Sequence, residues 1–235
     1  MSRLHSIALF ALLCLIAVES AKLGVSGLIV ELAQIEMDRW GASKRPLPMA
    51  EVNRVAGYFS DSLGYAPDNP WALEGLGTLD FARIRLSTAP AEALASARDA
   101  HGRFRTALRQ RPTSPFLWAN LALAKLYLDE LDAEFFSALS HADALGPWEP
   151  GSQRVVLFAG LAAWDKLDAG QQRALSRVVE RGGRRNALKF FEIVKSYRRF
   201  DLVCGLKDYD AIVGADCRKL AEPARVVMPK TRGKH

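Results

Sequence analysis

Cysteine and histidine are scarce in this sequence, with 3 cysteines and 4 histidines among 235 residues. The histidines form no H-E-x-x-H or comparable metal-binding pattern; they are His5, His101, His141 and His235. A G-x-S-x-G motif is also missing, and Gly75-Leu76-Gly77 lacks the third glycine of a phosphate-binding loop. The sequence therefore predicts a non-enzymatic protein with no catalytic residues, no metal site and no cofactor.

Residues that favour β-strands are also few, whereas alanine and leucine are the two most frequent residues. Hydrophobic residues make up 49% of the chain and charged residues 25%, which excludes the disordered, collagenous and multi-span membrane classes. The formal net charge of +6 allows an anionic partner without identifying one. We therefore expect an all-α fold of seven to nine helices.

An apolar run near the N-terminus suggests export. Arg3 and His5 precede the uncharged segment Ser6–Val18, which Glu19 ends. This order is typical of a signal sequence, and the run is shorter than the roughly 20 residues of a comfortable transmembrane helix. Residues 1–21 are thus predicted to be a cleaved signal peptide or an inner-membrane anchor, either of which places the remainder in the periplasm. A buried core helix of a cytoplasmic protein is the alternative.

Cysteine usage agrees with export. Cys14 lies in the apolar run, and the remaining pair, Cys204 and Cys217, is close enough in sequence to form a disulfide. Two free buried thiols, or half of a metal site, are the alternatives for this pair.

Hydrophobic periodicity divides the rest of the chain into four regions. The region 22–68 contains a helix over Leu23–Trp40, a proline-containing linker and a second helix. The region 69–150 contains helical hairpins, and 151–220 contains further helices that cap them. The segment 221–235 is predicted to be a disordered basic tail.

Sequence spacings within 69–150 are typical of one helical repeat family. An A-x-x-x-F-x-x-A-x-x-x-x-P order is followed by W-x-x-L-A, and a weaker copy of the second pattern precedes both; these residues are Ala100, Phe104, Ala107, Pro112, Trp118, Leu121, Ala122, Trp71 and Gly75. A looser third copy of the first pattern consists of Ala138, Ala142, Leu145 and Pro150. This region resembles a tetratricopeptide repeat (TPR).

The resemblance implies a short α-solenoid of antiparallel helix hairpins that binds another protein. It also implies that Trp71 and Trp118 pack between helices, whereas Trp148 lies in a turn and is expected to be exposed. An alanine-rich bundle of amphipathic hairpins is the alternative, because such a bundle can produce the same spacings.

Basic residues concentrate between positions 173 and 200. We predict a surface for an anionic partner formed by Arg173, Arg177, Arg181, Arg184, Arg185, Lys189, Lys195, Arg198 and Arg199. Its partner would be lipid head groups, an acidic polysaccharide or an acidic protein, and a solvated helix face is the alternative. Nucleic acid is disfavoured because it conflicts with export and no nucleic-acid-binding motif is present.

Acidic residues follow residue 128 in a cluster: Asp129, Glu130, Asp132 and Glu134. Because they lie between two predicted helices, we interpret them as capping residues of the second helix.

The order of an N-terminal apolar helix, alanine-rich hairpins and a final two-cysteine segment resembles small accessory proteins of bacterial exopolysaccharide loci. That resemblance implies a scaffold that supports polysaccharide assembly or export. The alternatives are a generic periplasmic adaptor of secretion, pilus or cell-wall machinery, and a helical cell-wall glycosidase. The glycosidase hypothesis would require Glu74 or Asp80 as the acid.

Overall fold

The computed structural model describes residues 3–42 and 47–221, and within them the protein is all-α, as predicted. Its helices are α1 (Arg3–Ala42), α2 (Met49–Tyr65), α3 (Pro70–Leu86), α4 (Pro90–Gln110), α5 (Pro115–Tyr127), α6 (Ala133–Leu145), α7 (Pro150–Ala162), α8 (Ala169–Ser196) and α9 (Asp210–Ala221). Single 3₁₀ turns occupy Trp164–Lys166, Phe200–Leu202 and Lys207–Tyr209. Residues 43–46 of the predicted linker (41–48), and all of the predicted tail beyond Ala221, lie outside the described residues.

Helix α1 joins two segments that were predicted to be separate, the apolar run and the helix over Leu23–Trp40. Its second half packs on α2 through Val30 and Ala33, both of which are buried. Between these helices, Ser26 Oγ lies 2.7 Å from Ser62 Oγ, and Asn69 Nδ2 donates to Ser26 Oγ at 2.7 Å. Because all three polar groups satisfy one another, this buried cluster fixes the second half of α1 against α2 and the start of α3.

Three turns of the same sequence pattern, Pro-x-x-Pro, precede α3, α5 and α7, at 67–70, 112–115 and 147–150. In each turn, the amide N–H of the residue before the second proline donates to the carbonyl three residues earlier. The donors are Asn69, Ser114 and Glu149, at 3.0, 3.1 and 3.2 Å. The second proline begins the next helix, where its missing N–H costs no hydrogen bond.

These turns define a register that differs from the one read from the sequence. Aligned on them, Leu73, Leu76 and Gly77 correspond to Trp118, Leu121 and Ala122, so Trp71 and Gly75 are two residues too early. Likewise Phe135, Leu139, Ala142 and Pro147 correspond to Ala100, Phe104, Ala107 and Pro112. Burial agrees with this register, because Leu145 is 41% exposed whereas Ala107 and Ala142 are fully buried.

From α1 to α8 each helix contacts the next, and α3 also contacts α1 and α5, while α5 contacts α7; α9 contacts the 3₁₀ turn at Lys207–Tyr209. Ala100, Phe104, Ala107, Leu121 and Ala122 are all buried in this packing. Trp118 is half-buried, and its Nε1 donates to the Pro112 carbonyl at 2.7 Å.

The expectation that Trp71 is packed between helices is wrong, because this side chain is 49% exposed. It begins α3 on the outer side, where its contact is the Arg111 guanidinium, 3.4 Å from the ring centroid. Trp148 is 48% exposed, as expected for its turn.

Residues 169–196 comprise two helical segments, as predicted, which meet at non-helical backbone at Asn186; we label them together as α8. Beyond α8, the Sγ atoms of Cys204 and Cys217 are bonded at 2.08 Å, as the sequence predicts. The disulfide holds α9 near buried Tyr209, whose hydroxyl donates to the Val179 carbonyl at 2.7 Å.

We expect the paired change Cys204→Ser with Cys217→Ser to lower the free energy of unfolding by about 3 kcal/mol. The reason is that the bridge closes a loop of 13 residues' separation and so restricts the unfolded chain. Denaturant unfolding of the full-length protein in detergent measures the difference, with Cys14→Ser as control, since Cys14 is free and exposed. Equal stability of the double variant and the parent would contradict the expectation.

Candidate functional site

Two adjoining depressions of about 350 and 430 Å³ lie along α5, α7 and the second half of α8. They share Arg154, Phe158 and Ile193, and Leu123 and Tyr127 extend the first of them over α5. We call these five residues the open face. Lys189, Glu192 and Ser196 border it on α8.

Helical periodicity explains why these side chains face outward. Leu121 and Ala122 on α5, like Val156 and Leu157 on α7, point into the core and are buried. Residues such as Leu123, one position later, therefore emerge beside the core.

Aromatic contacts support the floor of the open face. The Phe158 ring meets Tyr197 edge-on at 5.8 Å between centroids, and Tyr127 lies 5.6 Å from Phe81. Burial raises the pKa of Tyr197, and the neighbouring Tyr127 adds to this effect. Arg154 Nε donates to the Pro150 carbonyl at 3.2 Å, which holds the guanidinium at the edge of the floor. The open face can thus accept an apolar side chain with a carboxylate beside it.

A more enclosed cavity of about 230 Å³ lies between α6, α7 and the start of α8. Its walls are mainly apolar and include Phe136, Val156 and Leu175. The carboxylate of Asp143 is at its edge and is paired with Arg181.

The nine predicted basic residues separate into two groups. Arg181 pairs with Asp143 and also donates to Gln153 Oε1 at 2.9 Å, and Arg199 pairs with Asp201 and lies 3.7 Å above the Trp164 ring. Arg181 and Arg199 are thus engaged within the chain, and we do not count them as part of the predicted anionic-partner surface. The remaining seven are exposed and form no salt bridge within the described part of the chain: Arg173, Arg177, Arg184, Arg185, Lys189, Lys195 and Arg198.

The acidic cluster combines a helix cap with a charge network around Lys125, whose side chain is 4% exposed. Asp132 caps α6 by accepting from the Phe135 N–H, as predicted, and lies 2.7 Å from Lys125 Nζ. Glu130 lies 2.5 Å from the same ammonium. The hydrogen bond from Lys125 lowers the pKa of Asp132. Burial alone would lower the pKa of Lys125, but the hydrogen bonds to Asp132 and Glu130 outweigh it and raise the pKa.

The two histidines of the helical hairpins make local contacts. His101 Nε2 lies 2.9 Å from Glu134 Oε2, whereas His141 Nδ1 lies 2.8 Å from the Ser137 carbonyl and its ring stacks on Trp118 at 4.5 Å. Among the residues that the structure describes, no three His, Cys, Asp or Glu side chains are grouped so that they could hold a metal ion.

Glu74 and Asp80, the acids of the glycosidase hypothesis, are both engaged in ion pairs. Glu74 Oε2 lies 2.5 Å from Arg111 Nη1. Asp80 is fully buried and accepts hydrogen bonds from Arg83 and Arg103. A sugar in a surface cleft would not reach the Asp80 carboxylate.

The described side chains in the first half of α1 are all exposed. Its large apolar side chains are more than half exposed, including Ile7 at 67% and Phe10 at 70%. Within the described ranges, His5–Trp40 is the one helix long and apolar enough to cross a membrane, by length and composition. The one ion pair at the end of the apolar run joins Glu19 and Lys22 at 2.7 Å.

The sequence alone does not reveal the open face, because four of its five residues are hydrophobic or aromatic side chains at ordinary positions of predicted helices. The recurring Pro-x-x-Pro turns could have predicted it. They fix where α5 and α7 begin, and the helix start determines which side of each helix faces away from the core. Compared with known protein families, with curated proteins and with solved structures, the chain shows no significant match.

Proposed function

We propose that the protein is a non-catalytic protein-interaction scaffold of the bacterial cell envelope, anchored in the inner membrane by α1. The exposed apolar half of α1 supports the anchor, because so much apolar surface is unfavourable in water. The Cys204–Cys217 disulfide supports a periplasmic body, because disulfides persist in oxidising compartments.

We further propose that α3 to α8 form a short TPR-like solenoid. The three matching turns support it, as does the contact of α3 with α5 and of α5 with α7, because stacked hairpins bring their first helices together. Within the first hairpin, Gly77 lets α3 and α4 approach closely, since a Cβ there would lie 2.6 Å from the Phe104 ring.

The open face is the feature that supports a binding role. Two basic side chains, Arg154 and Lys189, and one acidic side chain, Glu192, lie beside its apolar floor. The occupant that fits this chemistry is an extended segment of an envelope protein that presents an apolar side chain next to a carboxylate.

The test is crosslinking in living cells followed by purification of the tagged full-length protein and its partners. We expect Leu123→Ala with Phe158→Ala to reduce the recovered partner about tenfold, since truncating buried interface anchors commonly costs this much. Leu94→Ala is the matched control, because Leu94 is 37% exposed on α4, away from the open face. Unchanged recovery with the double variant would contradict the proposal.

The exposed basic residues of α8 favour a second role in binding an anionic polymer or lipid head groups. A variant with Arg184→Glu and Arg185→Glu separates the two roles in the same experiment. If partner recovery falls with this variant and not with the open-face variant, the partner binds through charge on α8 instead.

In the cell, we propose that this scaffold supports exopolysaccharide assembly or export. Deleting the gene in its host should reduce secreted polymer while precursor synthesis continues. Unchanged secretion would exclude this role and leave an adaptor of other envelope machinery.

A further inference from the structure

The second half of α1 presents two different faces. One face, with Ser26, Val30 and Ala33, is buried on α2 and α3. The opposite face carries Val25, Leu28, Leu32 and Ile35, which are 38%, 68%, 59% and 47% exposed. The second half of α1 connects the globular helices to the proposed anchor. One side of it is therefore an apolar stripe that no other helix in the described part of the chain covers.

The stripe follows the alternating four- and three-residue spacing of a coiled coil. The same spacing continues toward the N-terminus without a charged residue, through the positions Ile7, Ala11, Cys14, Val18, Ala21, Val25, Leu28, Leu32 and Ile35. We call this set the α1 seam. Within the apolar run any spacing would be apolar, so the informative part is the second half of the helix.

From position 19 to position 38, charged residues occur only off the seam. Glu19, Lys22, Glu31, Glu36 and Asp38 all occupy other positions of the heptad. Glu36, which flanks the seam, is already paired with Arg39 and Arg54 of its own chain. Arg39 occupies the next seam position and ends the apolar stripe there.

We propose that α1 pairs with α1 of a second copy of this chain, as a parallel two-stranded coiled coil along the α1 seam. This inference rests on the proposed anchor. The stripe beyond the apolar run spans fewer than two heptads, and so short a coiled coil is marginal in water. Continuation of the same seam through the bilayer supplies the length that a stable pair needs.

Anchoring also explains why the partner is an identical chain. Copies inserted in the same direction place identical residues at the same depth, so each seam residue meets its own counterpart across a two-fold axis. The body packs on the opposite side of α1, which leaves room for a second body beyond the partner helix. The pair would present two open faces to one envelope partner, which raises its avidity.

Cys14, the free exposed cysteine, lies on the seam and reports the contact directly. In oxidised membranes the full-length protein should form a Cys14–Cys14 disulfide dimer that reductant reverses and that Cys14→Ser abolishes. In the Cys14→Ser background, single cysteines at seam positions Ala11→Cys and Val18→Cys should crosslink efficiently. Off-seam Leu13→Cys and Ile16→Cys should crosslink poorly.

The aqueous part of the seam is tested with Cys14 retained. We expect Leu28→Gln with Leu32→Gln to reduce the crosslinked fraction about tenfold, because both leucines leave the helix interface. Leu23→Gln is the matched control, since Leu23 is 63% exposed but lies off the seam.

The outcomes of these experiments distinguish failure of the dimer proposal from failure of the anchor proposal. A full-length, membrane-bound protein whose crosslinking shows no seam periodicity, or which crosslinks to a different protein, overturns the dimer and leaves the anchor intact. A shortened protein in the soluble fraction, lacking residue 14 by mass, overturns both.

Discussion

Asp80→Ala is expected to lower the free energy of unfolding by about 3 kcal/mol, at the lower end of the range for breaking a buried ion pair. The Asp80 side chain is 1% exposed and accepts from Arg83 Nη1 at 2.8 Å and from Arg103. Arg83 also donates to Asn53 Oδ1 at 3.2 Å, so one carboxylate links α2, α3 and α4. The lower end applies because both guanidinium groups are about one quarter exposed and can reach water.

Asp80→Asn should cost less, about 1–2 kcal/mol, because asparagine keeps the volume and one acceptor oxygen. Burial raises the pKa of Asp80, against the opposing effect of Arg103 and Arg83. A raised pKa in the folded state means that stability is lost as the pH rises through that pKa, so ionisation of Asp80 itself opposes folding. Asparagine does not ionise and avoids this cost.

Thermal unfolding of the full-length protein in detergent measures both variants. At roughly 2–4 °C per kcal/mol for a chain of this size, Asp80→Ala should lower Tm by about 6–12 °C. Asp143→Ala, which removes a surface partner of Arg181, provides a comparison at a more exposed ion pair. If Asp80→Asn is as damaging as Asp80→Ala, the carboxylate charge rather than its geometry stabilises the fold.

Asp80 also shows how far the sequence predicts the structure. Asn69-Pro70 is a helix start signal that the sequence itself shows, and Asn69 caps α3 by accepting from the Trp71 N–H at 3.0 Å. The burial of Asp80 was not predictable, because it depends on Arg103, 23 residues later on another helix. A helix cap involves residues within one turn of each other, so the local sequence predicts it. The partner of a buried charge comes from a distant part of the chain, and only the tertiary packing determines it.

The basic residues of α8 illustrate the same limit. Spacing correctly placed Arg177 and Arg184 on an exposed helix, but it also grouped Arg181 with them. Helical periodicity gives the direction of a side chain and not the identity of the element it meets. Here α6 and α7 supply Asp143 and Gln153, which hold Arg181.

The turns give a repeat register that differs from the one read from the sequence, for a related reason. Trp71 was matched to Trp118 because both are tryptophans near a helix start, although the turns align Trp118 with Leu73. The turn prolines were a better signal than the aromatic residues, since proline fixes backbone geometry whereas an aromatic side chain at a helix start packs inward or outward according to its neighbours.

Gly75→Ala is expected to be the most damaging substitution of a helical glycine in α3. A Cβ at Gly75 would lie 2.3 Å from Phe59 Cζ, and the three nearest atoms all belong to the Phe59 ring. Phe59 is fully buried between α1, α2 and α3, so its ring has no space to move into. Overpacking of this kind costs about 1–3 kcal/mol, which exceeds the gain of about 1 kcal/mol from replacing glycine by alanine in a helix.

Gly102→Ala is the matched control, because Gly102 also lies in a helix but has open space where its Cβ would be. It should raise the free energy of unfolding by about 0.5–1 kcal/mol, so the two alanine variants should shift stability in opposite directions. Denaturant unfolding of the full-length protein measures both. Combining Gly75→Ala with Phe59→Leu provides the decisive comparison, because the smaller side chain removes the overlap. The double variant should therefore cost less than the sum of its two single changes, and simple additivity would show that Phe59 is not what restricts position 75.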